Sequence, residues 1–322
     1  MDHDPVLVER VLDLLLPALE GGGVVVDATI GRAGHAARLL DAAPGIELVG
    51  IDRDPQAVDA ARARLGANSR RVRIVRDDFA RLPSVLERLG VPSIRGVLFD
   101  LGVSSPQLDE AARGFSFRHD GPLDMRMDPS RRISADDVVN NYPERDLARV
   151  IRRYGEERWA GRIAGAIVRR RPVQSTAALA AVVRDAIPAP ARRSGGHPAR
   201  RTFQAIRIEV NDELGELTSA LPGGLESLEA GGRMVVISYH SLEDRIVKRF
   251  FAEGARGCTC PPDFPVCRCG VEATLRVLTP RPVRPTREEV DRNARASAAK
   301  LRAAEKIEAA QMPAPNSQRA IA

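Results

Sequence analysis

Over the first hundred residues two hydrophobic patterns take turns. Residues 5–16 carry apolar side chains at helical spacing (Val6, Leu7, Val11, Leu14, Leu15), with Pro5 at the start. Gly21-Gly-Gly23 breaks that pattern, and Val24-Val-Val-Asp27 is a β-branched run of the kind that forms a buried strand. A Gly-containing turn leads into a predicted helix over 34–40. Residues 47–52 predict a second strand, 55–65 a second helix and 72–75 a third strand, followed by Asp77-Asp-Phe79. A short helix over 82–89 precedes a fourth strand that ends at Asp100. Strand and helix alternating at this spacing predict an α/β fold with a doubly wound parallel sheet.

The pattern then changes. From about 109 to 200 no run reads as a strand. Residues 115–129 read as an irregular loop, followed by helical stretches near 144–154, 157–170 and 176–187. Residues 188–198, rich in Pro and Gly, read as a linker. A helix is expected over 202–221, and the strand pattern returns at 233–238. The expected organisation is a sheet domain in two parts, 1–108 and 201–310. A helical insertion over 109–200, read as the substrate-recognition part, splits it, and the tail 311–322 is expected to be disordered.

Composition narrows the function classes. A hydrophobic fraction of 43% in 322 residues sustains a sizeable core. No apolar run of about 20 residues occurs, so no membrane partner is expected. The start, Met1-Asp-His-Asp4, lacks the basic-then-apolar pattern of a signal peptide, which points to a cytoplasmic protein. The net charge of +6 permits a polyanionic partner, and a mildly basic soluble protein would carry it too. Lysine occurs only at Lys248, Lys300 and Lys306, so the arginine richness reads as compositional bias rather than as a phosphate-binding signal.

Chemistry enters at the strand ends. Gly31-Arg-Ala-Gly34 joins the first strand to its helix, where glycine permits a tight turn and the helix start offers N–H groups. Asp52 ends the second strand about 20 residues after the glycine turn, the place where an acid binds ribose hydroxyls. It also stands where it could cap the helix beginning at Pro55. The full G-x-G-x-x-G turn that supports a pyrophosphate is missing. S-adenosylmethionine has no phosphate and needs a ribose acid, an adenine slot and acceptors for its ammonium. Asp52, Asp78-Phe79 and Asp100 end strands two, three and four, and acids suit a sulfonium cation. This favours a methyltransferase over a dehydrogenase, with Phe79 beside adenine or in the core.

Longer blocks carry a family resemblance. They are Gly31-Arg-Ala-Gly-His35, Ile51-Asp-Arg-Asp-Pro-Gln-Ala57, Asp100-Leu-Gly-Val-Ser-Ser-Pro-Gln107, Arg113-Gly-Phe-Ser-Phe117 and Asp120-Gly-Pro-Leu-Asp-Met-Arg-Met-Asp-Pro129. Tyr154-Gly-Glu-Glu-Arg158, Arg201-Thr-Phe-Gln-Ala-Ile-Arg207 and Ser241-Leu-Glu-Asp-Arg-Ile-Val-Lys248 continue them in order along nearly the whole chain. The chain resembles the bacterial 16S rRNA cytosine-N4 methyltransferases, the RsmH (MraW) family. The resemblance implies a Rossmann-like S-adenosylmethionine-dependent methyltransferase sheet with an inserted all-helical domain. It implies a decoding-centre cytosine, 1402 in the family's naming, of 16S rRNA in the small ribosomal subunit as acceptor. Carried over by motif, the cofactor contacts are Ala33, Gly34, His35, Asp52, Phe79, Asp100 and Gln107. Two positions depart from the family: Ala33 stands where glycine is usual, and the His-Thr/Ser-x-Val-Leu start appears as His3-Asp-Pro-Val-Leu7.

The acceptor side is less determined. A cytosine amine is a poor nucleophile, so the site must orient it and accept its hydrogen bonds. Asp100 is a candidate catalytic acceptor, with Ser104 a second candidate; the alternative for Asp100 is that it holds only the cofactor's ammonium, and the two roles are compatible. Phe115, Phe117, His119 and Asp124 are candidates to face the base, with packing the alternative for Phe115. Ser241 and Asp244 have capping-box-like spacing, and His240 reads as structural, with lining of the substrate pocket the alternative. Cys258, Cys260, Cys267 and Cys269 could hold zinc, but they stand as two C-x-C pairs and lack the usual C-x2-C spacing, so a reduced, metal-free loop is favoured over a structural metal. The segment from Arg281 through a helix toward Lys306 offers basic groups for RNA phosphates or for solvent. A homodimer is left open.

Overall fold

The computed structural model describes residues 5–68, 70–193, 196–257, 260, 269 and 272–308. His3, Cys258, Cys267, two linker positions (194–195) and the tail from 309 lie outside the described residues, and with them the expectations on the family's start motif, the four thiolates and the tail. In chain order come α1 (Val8–Leu19), β1 (Gly23–Asp27), α2 (Gly34–Ala42), β2 (Ile46–Asp52), α3 (Pro55–Leu65), β3 (Val72–Arg76), α4 (Leu82–Arg88) and β4 (Ile94–Asp100). Then follow α5 (Ser105–Asp109), α6 (Glu144–Gly155), α7 (Ala160–Arg169), α8 (Thr176–Ala186) and α9 (Arg200–Asn211). The chain continues through α10 (Glu213–Ser227), β5 (Leu228–Ser238), α11 (Ser241–Gly254), β6 (Leu275–Val277), α12 (Arg287–Arg292) and β7 (Lys300–Lys306). No described helix is long and apolar enough to cross a membrane.

The described residues divide into two compact units, one from Met1–Leu101 and Leu217–Ala322, the other from Gly102–Glu216. The first unit is a seven-stranded sheet in the order β3-β2-β1-β4-β5-β7-β6, a Rossmann-like arrangement. Strands β1 to β5 pair in parallel, and β7 runs antiparallel to β5 and β6. Both faces are covered, which is why the strands read as unbroken apolar runs. Val25, Leu48, Leu98 and Ile237 pack with Val11, Leu15 and Leu39 on one face. Val26, Val49, Phe99 and Val236 pack with Leu82, Leu221 and Phe251 on the other. The order reverses between β1 and β4, so their carboxyl ends diverge into a crevice where open sheets take ligands.

The last strand corrects one expectation. Lys300–Lys306 is β7, a strand inside the sheet rather than the end of a basic helix. Its Ala-rich, charged sequence carries no β-branched signal. It is tolerated because Leu301, Ala303 and Ala304 are small or apolar enough for a buried strand, and because its charges are paired. Arg302 Nε donates to Asp244 Oδ1 at 2.7 Å, and Glu305 takes Arg233 at 3.0 Å and Arg276 at 2.5 Å. Asp244 is therefore engaged with β7 instead of capping α11. The cap is one residue earlier: Glu243 Oε2 accepts from the backbone N–H of Tyr239 (2.8 Å) and His240 (3.1 Å), while His240 Nδ1 accepts from Glu243 N.

The second unit is helical, with a short π-helical turn at Asp137–Asn141. Leu147 and Ile151 of α6, Ile163 and Ile167 of α7 and Leu179 and Val183 of α8 share one core with Phe203, Ile206 and Val210 of α9. Helix α9 thus packs with the insertion, although its sequence alone reads as the return of the sheet domain. The helix expected over 202–221 is two helices: Asp212 takes a left-handed φ of 47° and separates α9 from α10.

Asn211, fully buried at the end of α9, ties this core to the loop before α6. Its Oδ1 accepts from Met127 N at 2.8 Å, and its Nδ2 donates to Met125 O at 2.7 Å. Asn211→Ala leaves two buried backbone groups unpaired, each costing about 1–3 kcal/mol. The expected result is a loss of roughly 2–6 kcal/mol in the unfolding of the helical unit, measured by urea titration. A loss below about 1 kcal/mol would contradict this role for the side chain.

Candidate active site

Three carboxyl groups stand at the carboxyl ends of adjacent strands: Asp27 on β1, Asp52 on β2 and Asp100 on β4. The turn after β1 is fastened to both neighbours. Ala28 N donates to Leu98 O of β4 and Ile30 N to Ile51 O of β2, each at 2.9 Å. Thr29 Oγ1 accepts from Asp100 N at 2.7 Å. Ile30 fits only because β2 has Gly50 beside it, where a Cβ would lie 2.1 Å from Ile30 Cδ1.

Asp52 holds the glycine turn. Its Oδ2 accepts from Gly31 N and its Oδ1 from Asp54 N, both at 2.9 Å. The capping of α3 falls to Asp54, whose Oδ1 accepts from Gln56 N at 3.0 Å. Asp52 is therefore not the helix cap, and each of its oxygens has a second lone pair for a ligand hydroxyl. Gly31 (φ 51°) and Ala33 (φ 58°) are left-handed, and Ala33 is the fully buried residue preceding α2. A non-glycine residue there costs about 1–2 kcal/mol, which accounts physically for a preference for glycine at this position. Gly34 lets Pro5 approach: a Cβ would lie 3.2 Å from Pro5 Cβ.

His35 is buried near the start of α2, with Nε2 2.9 Å from Val6 O. A carbonyl oxygen only accepts, so Nε2 carries the proton. Nδ1 faces Asp100 Oδ2 at 3.6 Å. Asp100 Oδ1 accepts from the Tyr239 hydroxyl at 3.0 Å, and a quarter of the Asp100 side chain remains accessible. Phe79, capped by Asp78, is buried edge-on against Phe99 with ring centroids 5.9 Å apart. The Arg53 guanidinium lies 5.7 Å from its centroid and 3.7 Å from Asp78. The ring therefore belongs largely to the core beneath β3.

Burial sets the electrostatics. It pushes the Asp27 carboxyl up to about 8, against the Thr29 N–H and with added repulsion from Asp100 and Asp52. Asp52 and Asp100 are raised by burial as well; the Asp54 and Gly31 N–H groups oppose it at Asp52, and His35 and Tyr239 oppose it at Asp100. A crowded row of acids with raised pKa values is suited to a cationic ligand, which would return them to the charged form.

Ser104 and Gln107 lie in the helical unit, where they form a capping box at α5: Gln107 Oε1 accepts from Ser104 N at 3.0 Å. Four candidates for facing the base lie in the same unit. Asp124 is engaged by Arg126, whose Nε and Nη2 donate at 2.8 and 2.9 Å. Phe115 is core, and Phe117 stacks on His197 at 4.2 Å with its edge toward Phe203, leaving His119 as the exposed member. Asp27, Thr29 and Tyr239 carried no assignment in the sequence reading. Asp100 pairs with Ile237 in parallel, so the residue after Ser238 stands at the same end of the sheet, a placement that only the strand register reveals.

The raised pKa of Asp27 has a consequence for stability. The folded protein keeps a proton that an unfolded aspartate, pKa about 3.9, releases. This contribution is complete below that value and is lost as pH rises through about 8. In urea titrations of the ligand-free protein at pH 5 and pH 8, Asp27→Asn is expected to lose less stability than the wild type on going to the higher pH. Parallel losses would contradict the assignment.

Comparison with known proteins places the chain. The MraW methylase family matches residues 1–307. "Ribosomal RNA small subunit methyltransferase H" of Heliobacterium modesticaldum is 53% identical over 95% of this chain and 98% of its own. The proteins of that name from Thermobifida fusca (53% identity, 94% of this chain and 93% of its own) and Acidothermus cellulolyticus (54%, 95% and 94%) are similar. A match over nearly the whole length leads to one conclusion: the chain belongs to the MraW methylases, a family of S-adenosylmethionine-dependent methyltransferases.

Proposed function

We propose that this protein transfers a methyl group from S-adenosylmethionine to the N4 amine of the decoding-centre cytosine of 16S rRNA in the small ribosomal subunit. The observation that supports it most is the row of Asp27, Asp52 and Asp100 at the carboxyl ends of β1, β2 and β4, in a chain about half identical to proteins named for small-subunit rRNA methylation. The donor set fits the cofactor: acids for ribose hydroxyls and a sulfonium cation, and no complete pyrophosphate turn.

In this reading Asp52 accepts from the ribose hydroxyls. The backbone at Ala33 and Gly34, with His35, bounds the amino-acid end, and Phe79 bounds the adenine side. Bound S-adenosylmethionine supplies an electrophilic methyl on a positive sulfur. Asp100 accepts a hydrogen bond from the cytosine amine and orients its lone pair toward that methyl. With the cofactor bound, the amine would take the methyl group as the carbon–sulfur pair returned to sulfur, and Asp100 would receive the N4 proton. The roles of Ser104 as acceptor and Gln107 as cofactor contact rest on the motif they share with Asp100 along residues 100–107.

The test is transfer of labelled methyl to small subunits that lack the modification, with nucleosides separated by mass. N4-methylcytidine at a single position is expected. Label on another base, or on DNA alone, would overturn the substrate assignment. Asp52→Ala removes a charged acceptor worth about 1.5–3 kcal/mol, so calorimetric cofactor affinity should fall about tenfold or more. Unchanged affinity would contradict the ribose assignment.

A further inference from the structure

The carboxylate of Asp100 is held from several sides, although the sequence motif around it explains only its position at the end of β4. Its backbone N–H is fixed by Thr29 Oγ1 at 2.7 Å. One oxygen accepts from Tyr239 at 3.0 Å, and the other faces His35 Nδ1 at 3.6 Å. The two side chains beside the carboxylate are themselves anchored. His35 is tied to Val6 O at 2.9 Å. The backbone of Tyr239 is tied by Glu243 Oε2 at 2.8 Å, the acid that also caps α11.

We propose that Tyr239 is a positioning residue: its hydroxyl, opposed by the His35 ring, grips the Asp100 carboxylate and holds it as the acceptor for the cytosine amine. The inference rests on the role given to Asp100 in the proposed function. A carboxylate on one rotatable side chain can turn away from an amine, and a misplaced acceptor costs rate rather than binding. The Tyr239 hydroxyl, bonded to one oxygen, restricts that rotation, and the His35 ring stands beside the other. The phenol is suited to the task because burial, with the Asp100 charge beside it, keeps it protonated and therefore always a donor.

The grip also sets the charge state of the acceptor. The groups facing Asp100 are His35 from α2, Tyr239 after β5, Glu243 from α11 and Asp27 from β1. Burial raises its pKa, His35 and the Tyr239 hydroxyl lower it, and Glu243 raises it. Removing the hydroxyl leaves the carboxyl easier to protonate, so the acid limb of the pH–rate profile moves to higher pH.

The experiment compares wild type with Tyr239→Phe in methyl transfer to unmodified small subunits from about pH 5.5 to about pH 9. The expected result is a kcat lower by about tenfold or more, a KM for S-adenosylmethionine within about threefold, and an acid limb shifted upward. An unchanged kcat and limb, or a raised KM at constant kcat, overturns the inference. A wild type that forms no N4-methylcytidine defeats the proposed function instead. Active wild type with an indifferent variant defeats only the role of Tyr239. Should Tyr239→Phe fail to fold, fluorotyrosine decides. Only Tyr142, Tyr154 and Tyr239 occur, so labelling a Tyr142→Phe, Tyr154→Phe protein places it at 239 alone. A stronger donor there should move the acid limb downward, and an unmoved limb overturns the proposal.

Discussion

The turn between β1 and α2 is the constraint on which the site depends. Ala28 is bonded to β4, Ile30 to β2, and Gly31 to the Asp52 carboxylate. These bonds bridge the point where the strand order reverses, so they hold three strand ends in one register. The turn must take left-handed conformations at Gly31 and Ala33 to fit. It must also pass so close to β2 that only glycine at position 50 leaves room for Ile30. Each acid then inherits its place from the backbone beneath it, not from its own side chain's preferences.

That placement carries an electrostatic cost. Three carboxyl groups share a buried strand-end row, and Asp27 responds by holding a proton up to about pH 8. A folded domain has no structural need for such a row, since a buried acid without a partner is destabilising. Asp52 offsets part of its cost with two backbone N–H groups, and Asp100 with Tyr239 and His35. Among the described residues Asp27 has the Thr29 N–H, at a long 3.3 Å, to set against the burial that pushes its carboxyl up to about 8. A cation entering beside them would remove repulsion that folding alone leaves in place.

The parallel half of the sheet and its acids were legible in the chain because buried strands read as continuous apolar runs that stop at a carboxylate. Val24-Val-Val-Asp27 and the run ending at Asp100 are of this kind. The antiparallel edge was not legible. Strand β7 is built from alanines and paired charges, a composition that looks helical until Asp244, Arg233 and Arg276 supply partners far away in sequence. The division of 202–221 into two helices was hidden for a related reason. Asp212 adopts a left-handed conformation that aspartate tolerates but does not advertise. The grip on Asp100 was out of reach because Thr29 and His35, from the β1–α2 segment, and Tyr239, after β5, reach it only through the sheet register.

The most direct measurement is a crystal structure with S-adenosylhomocysteine bound. The account predicts the ribose hydroxyls on the oxygens of Asp52, the amino-acid end beside the Gly31–Gly34 turn, and the sulfur on the side of Asp100. A ligand bound away from the carboxyl ends of β1, β2 and β4, or with its ribose on another acid, would contradict it.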